Sequence, residues 1–224
     1  MFRPADQPME RGWVGRIDGD HVVHLAAQTL EAFFTGGGMA REHAVYPLDR
    51  VQLLAPVLRP PAVRIFESER SFAFANPAAI LGPDSEVHSA GVLPTLLPRL
   101  AAVIGGDGEI AGFTALADWR RLSLPAPKDR DFALGLGPAV VTSNDAVDGP
   151  EAVVRLGEDE VLRGRFDGFE WAAAHDLAAE ATVLRPGDIL AGPPLGVVEG
   201  SELPGLVELE VEGVGTFRQT VLRT

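Results

Sequence analysis

Turn-forming residues interrupt this chain so often that its apolar runs are held to strand length. Of 224 residues, 25 are glycine and 18 proline, and they are scattered rather than tandem. An apolar run closed at both ends by Gly, Pro or Asp-Gly has room for about four to eight residues of strand, not for several turns of helix. Trp13 to Ile17 and His21 to Leu25 flank the turn Asp18-Gly19-Asp20 and are expected to form a β-hairpin. Thr29 to Phe34 is expected to be a short helix, stopped by Gly36-Gly37-Gly38. Val51 to Leu54 is expected to be a strand, and Leu58-Arg59-Pro60-Pro61 to separate a small N-terminal α+β unit, residues 1–60, from a larger domain, 61–224.

Beyond that boundary the short runs continue. Leu100 to Ile104 ends in Gly105-Gly106-Asp107-Gly108, and Ala111 to Ala117 follows as the next strand. Gly137-Pro138 is expected to open a strand over Ala139 to Thr142. Ala152 to Leu156 and Val161 to Arg165 flank Gly-Glu-Asp-Glu, a second hairpin. Phe169 to Glu180 alone carries apolar residues at clear helical spacing, at Phe169, Ala172, Ala173 and Leu177. Leu206 to Glu212 alternates apolar and acidic residues as a half-exposed strand does, and Gly213-Val214-Gly215 turns it back into Thr216 to Leu222. The fold class expected is α+β and β-rich.

Composition narrows the chemistry. A formal net charge of −13 argues against nucleic acid and anionic membrane as partners. An uncharged apolar run of the 18 or so residues needed for a membrane helix does not occur, and the first residues lack a secretory apolar core, so a cytoplasmic location is expected. With no cysteine there is no disulfide, no thiolate metal site and no cysteine nucleophile. No Gly-x-Ser-x-Gly and no phosphate-cradling glycine loop before a helix occurs. Of the 19 basic residues only Lys128 is lysine. It is either a survivor of an arginine-rich codon bias or a position where a compact ammonium suits a carbonyl or enolate oxygen better than a guanidinium. His21 and His24, three apart on a strand, fall on opposite faces. His43 is expected in a loop, His88 after an entry loop, and His175 on a helix beside Asp176, which it does not face.

Several segments resemble, in order, those of one family. Phe74-Ala75-Asn76-Pro77 resembles an aromatic-Asn-Pro entry loop, and Arg99 to Gly105 a first long strand. Ala111-Gly112-Phe113-Thr114 leading to Asp118-Trp119 resembles a central strand and its Asp-Trp turn. Lys128 to Asp131 followed by Gly137 to Thr142 resembles a lysine loop with its strand. Leu184 to Leu190 is similar to a C-terminal turn, and Val207 to Phe217 to a closing hairpin. The family is that of fumarylacetoacetate hydrolase, and the resemblance covers roughly residues 13–222. It implies a mixed β-barrel or roll, a homodimer, and cleavage, decarboxylation, hydration or isomerisation of a small 2-oxo or 1,3-dicarbonyl acid. It also implies a Mg or Mn ion held by carboxylates that stabilises an enolate as a Lewis acid.

The departures from that pattern matter as much. The family's metal-binding Glu-x-Glu falls here on Leu97 and Arg99, and a further acidic ligand on Ile65. Asp118 alone is retained as a candidate ligand, and one carboxylate does not hold Mg against water. No cofactor is therefore expected. Where the family has a catalytic histidine loop this chain has only Glu67-Ser68-Glu69-Arg70, and where it has Gly-Thr this chain has Gly192-Pro193. The resemblance places catalysis at Lys128, Asp118 and Arg99, with Glu67 or Glu69 as general base, and substrate contacts at Lys128, Arg99, Phe74 and Gly192. Arg99 is expected to pair with Asp118 and to supply a fixed cation in place of the metal. Two functions stay open: an enzyme acting on or binding a small oxo acid through an altered, metal-poor site, and a non-catalytic relative that binds a ligand or serves as a structural or dimerisation partner.

Overall fold

A computed structural model describes residues 1–7, 9, 11–89, 91, 94–199 and 205–223. The N-terminal part runs β1 (Phe2–Pro4), β2 (Gly15–Asp18), β3 (His21–Leu25), α1 (Leu30–Thr35), β4 (Glu42–Pro47) and β5 (Val51–Leu53). The hairpin β2-β3 turns at Gly19, whose φ of +57° suits glycine. Thr29 Oγ1 caps α1 by accepting from Ala32 N at 3.1 Å. His43 lies on β4, paired with β3, rather than in a loop. The run Glu42–Pro47 is mostly exposed, so no buried alternation marks it as a strand.

The rest of the chain runs β6 (Val63–Ser68), β7 (Ser71–Ala75), β8 (Ile80–Leu81), β9 (Ser85–Ser89), β10 (Thr95–Ile104), β11 (Ile110–Arg120) and β12 (Ala133–Thr142). It closes with β13 (Glu151–Leu156), β14 (Asp159–Arg165), α2 (Trp171–Ala179), β15 (Ile189–Pro194), β16 (Gly205–Val211) and β17 (Gly215–Arg223). A mixed sheet has the order β7-β6-β15-β10-β11-β12-β8, and a second sheet the order β14-β13-β16-β17-β9. The pairs β12-β8, β15-β6 and β17-β9 are parallel. The chain is β-rich with small N-terminal sheets, as the turn pattern implies, and its larger sheets form the mixed roll that the resemblance implies. The long strands exceed their expected bounds: β10 begins at Thr95 rather than Leu100, β11 runs on to Arg120, and β12 begins at Ala133 and runs through Gly137-Pro138 instead of starting there.

Strand β10 is the spine, because both of its faces are covered. Ala101 and Val103 join Leu116, Ile65 and Ile189 in one buried cluster that also takes Val14, Val23 and Leu30 from the N-terminal part. On the opposite face Leu96, Leu100 and Trp119 pack against Val207, Leu209 and Phe217 of the second sheet. Ala102, Ile104 and Phe66 pack against Ala174 and Ala178 of α2. A strand buried on both faces reads as a continuous apolar run, as Leu100 to Ile104 does. The two sheets are tied by Trp119 Nε1, which donates to Gln219 Oε1 at 2.6 Å. They approach so closely at Gly135 that a Cβ there would lie 2.4 Å from the Phe217 ring.

Candidate functional site

Leu97 stands opposite Asp118 across the antiparallel pair β10-β11. Side chains alternate along a strand, so Arg99, Asp118 and Arg120 share one face of the sheet's central strands. The side chains of Arg99 and Asp118 are 0% exposed, and Arg99 Nε donates to Asp118 Oδ2 at 2.9 Å. The Arg99 Nη1 donates to the carbonyls of Phe66 at 3.0 Å and Gly192 at 2.9 Å, and Nη2 donates to Glu67 Oε1 at 2.9 Å. Arg120 grips Asp118 from the other side, with Nε to Oδ1 at 2.6 Å and Nη2 to Oδ2 at 2.7 Å. Its Nη1 donates to Asp129 Oδ2 at 3.1 Å.

A buried charge survives only when paired and hydrogen-bonded, since its effective desolvation costs on the order of several kcal/mol. Here each member meets an opposite charge. Burial pushes the Asp129 carboxyl up, but hydrogen bonds and charges from Arg130 and Arg120 outweigh it and hold the carboxyl below its ordinary range. Burial likewise pulls Arg120 down, and Asp118 and Asp129 more than reverse that.

This geometry does not suit a divalent metal. Both oxygens of Asp118 face guanidinium N–H groups, and two cations already flank it. Mg or Mn asks for about six oxygen ligands. Ile65, where the resemblance would put an acidic ligand, is buried in the core, and Leu97 is half-buried. Among the described residues no three His, Asp or Glu side chains form a metal-holding group. The residues present do not fit the ion.

The remaining expected site residues are dispersed. Lys128 follows Pro127 in a 3-10 turn, Lys128–Arg130, and its side chain is 67% exposed. Its amine pairs with Asp131 at 3.0 Å at the surface, while the next residue, Asp129, turns inward to Arg120. The ammonium is thus not joined to the Arg99 pair, because the turn aims adjacent residues in opposite directions. Phe74 is also exposed, and its ring lies 5.5 Å from the Arg64 guanidinium carbon. Glu67, Glu69 and Gly192 do converge. They line an open cleft of about 230 Å³ beside the buried cluster, and Glu67 touches both, with 57% of its side chain exposed. Its hairpin, β6-β7, turns where the family pattern has a longer loop.

Sequence reasoning missed Arg120 and Asp129. The first was findable: Asp118 and Arg120, two apart on a strand, necessarily share a face. Asp129 gave no such signal, because its inward turn depends on the loop. The histidines lie elsewhere. His24 stacks on Trp13 at 4.7 Å and lies 5.2 Å from His43, His88 pairs with Glu86 at 3.3 Å, and His175 Nε2 lies 2.8 Å from the Gly108 carbonyl.

No family model matches the sequence, and no curated protein matches it. Solved structures do match the fold. Maleylpyruvate hydrolase from Sphingobium sp. SYK-6 superposes with a TM-score of 0.81 at 20% identity, covering 96% of this chain and 98% of that one. The same enzyme has been solved in complex with manganese (II) ion and pyruvate. Fumarylacetoacetate hydrolase from psychrophilic Exiguobacterium antarcticum gives 0.80 at 16% identity, covering 100% and 99%. The 5-carboxymethyl-2-hydroxymuconate delta-isomerase from Mycobacterium smegmatis gives 0.77 at 20% identity, covering 95% and 94%. At these identities the likeness establishes the fold, one that carries hydrolases and isomerases.

Proposed function

We propose that this chain, which has the fumarylacetoacetate hydrolase fold, is a non-catalytic relative of those hydrolases and isomerases, serving as a ligand-binding or structural partner. The observation that carries this reading is the double grip of Arg99 and Arg120 on Asp118. Where the metal of the fold's enzymes would polarise a substrate carbonyl, two guanidinium groups are held by hydrogen bonds. A cation stabilises charge developing on a substrate only where the substrate reaches it, and Arg99 is wholly enclosed with its Nε, Nη1 and Nη2 already donating within the protein. In this proposal the protein is cytoplasmic and homodimeric, and residues 1–60 form a small unit that buttresses the sheet. Light scattering showing a monomer would remove the dimer from the account. Among the described residues no helix is long and apolar enough to cross a membrane.

The test is turnover. Purified protein is incubated with maleylpyruvate and related acylpyruvates, with and without Mn or Mg, and pyruvate release is followed. The reading expects no release above the buffer rate in any arm; metal-dependent release would overturn it.

A second reading keeps the oxo acid as a substrate of a metal-poor site. Arg99 and Lys128 would supply positive charge, and Asp118, Glu67 or Glu69 would move protons. One observation favours it: Glu67 links the buried Arg99 to the open cleft that Glu69 and Gly192 also line. Metal-independent release that disappears in Glu67→Gln would establish it.

A further inference from the structure

The cleft beside Glu67 is one of two cavities that share a wall. Leu100, the stretch 165–169 and Trp171 border both a space of about 230 Å³ and one of about 370 Å³. That shared wall is aromatic. Phe166, Phe169 and Trp171 of that wall, and Phe113 of the larger cavity, are half-buried: each packs on the core with one part of its ring and leaves the rest exposed. Phe113 and Trp171 meet at 5.1 Å and 67°, and Phe169 and Trp171 at 4.8 Å and 88°. Rings set edge to face turn their π-faces in different directions, which makes the walls of a box rather than a stack.

The backbone is shaped for these rings. Gly168, at φ +71°, turns the chain between Phe166 and Phe169. At Gly192 a Cβ would come 3.2 Å from the Trp171 ring and 3.3 Å from that of Phe169, so the bare β15 backbone seats both. The rim is acidic. Asp148 and Glu212 border one cavity, Asp167 both, and Glu69 the other. The cation they share, Arg165, is itself engaged, 4.0 Å from Glu212 and donating to the Asp148 carbonyl at 3.4 Å.

An anionic oxo acid would enter this space against the rim and against a chain of net charge −13. A metal ion would find aromatic faces where it needs oxygens. A compact organic cation meets the opposite situation. Ring faces attract it within about 6 Å of their centroids, the carboxylates raise its local concentration, and a quaternary ammonium has no N–H group to leave without a partner. Cavities of a few hundred Å³ suit a small molecule. We propose that this aromatic, acid-rimmed cleft binds a small organic cation of the quaternary-ammonium class, with Phe166, Phe169 and Trp171 as its walls and Asp167 and Glu69 as its counter-charges. The inference rests on the lining of the cleft and holds whether or not the buried cluster is catalytic.

The experiment titrates the full chain with choline, its neutral isostere 3,3-dimethylbutan-1-ol, and pyruvate, by calorimetry and thermal unfolding. Choline is expected to bind saturably and to weaken as salt rises, with the neutral isostere on the order of tenfold weaker. Trp171→Leu is expected to lower choline affinity on the order of tenfold. Asp167→Asn, at an exposed position that leaves the walls intact, is expected to lower it a few-fold should the tryptophan variant misfold. The proposal is overturned by equal binding of choline and its isostere, by no choline binding, by choline binding unchanged in both variants, or by pyruvate binding in preference to choline. None of these outcomes depends on pyruvate release, so this proposal and the turnover reading fail separately.

Discussion

Arg99 and Lys128 show how differently two cations on one chain are held. Arg99 is enclosed and bonded to two carboxylates and two carbonyls, whereas Lys128 shares one surface pair with Asp131. Removing Asp118 would strand Arg99 and Arg120 together in a buried space. Asp118→Ala is therefore expected to cost about 3–5 kcal/mol in urea unfolding. Lys128→Met should change stability by no more than about 0.5 kcal/mol, because exposed pairs contribute little. Equal costs for the two would contradict the assignment of the charged centre to Arg99. A third residue sets a pH dependence. Burial first, and then the neighbouring charge of His43, lower the His24 imidazole below its ordinary value. The unfolded chain then binds a proton in a window where the folded chain does not, so stability falls as pH drops through about 6.5 toward the lowered value. Thermal unfolding between neutral and mildly acidic pH should show this loss, and His24→Gln should flatten it.

At the level of elements, a polar tie inside an apolar contact helps to hold the sheet pair. Trp119 and Gln219 are both buried, and their hydrogen bond joins β11 to β17. Gln219→Met would keep the bulk but leave the indole N–H without its partner, at an expected cost of about 1–3 kcal/mol by chemical denaturation. Elements whose pattern is carried by local residues were legible in the sequence. The hairpin β13-β14 shows two apolar runs around its turn, and α2 shows helical spacing. Strand β4 was not legible, since its run is mostly exposed and is held by pairing with β3. The site divides in the same way. Arg99 and Asp118 are linked by resemblance, and Arg120 by strand periodicity. The outward turn of Lys128 is set within its own loop, and the cleft forms only where the stretch 165–171 meets Leu100 and Gly192, far away in the chain; no spacing rule reports either.

For the whole molecule, the fold is shared almost end to end with solved maleylpyruvate and fumarylacetoacetate hydrolases. Where the family pattern has carboxylates around a metal, this chain has guanidinium groups around one carboxylate. In the proposed reading, two guanidinium groups that the fold carries itself stand where a divalent cation would. The measurement that bears most directly on this is calorimetric titration of the purified protein with Mn. The account predicts no saturable binding. One ion bound per chain, and lost in Asp118→Asn, would contradict it.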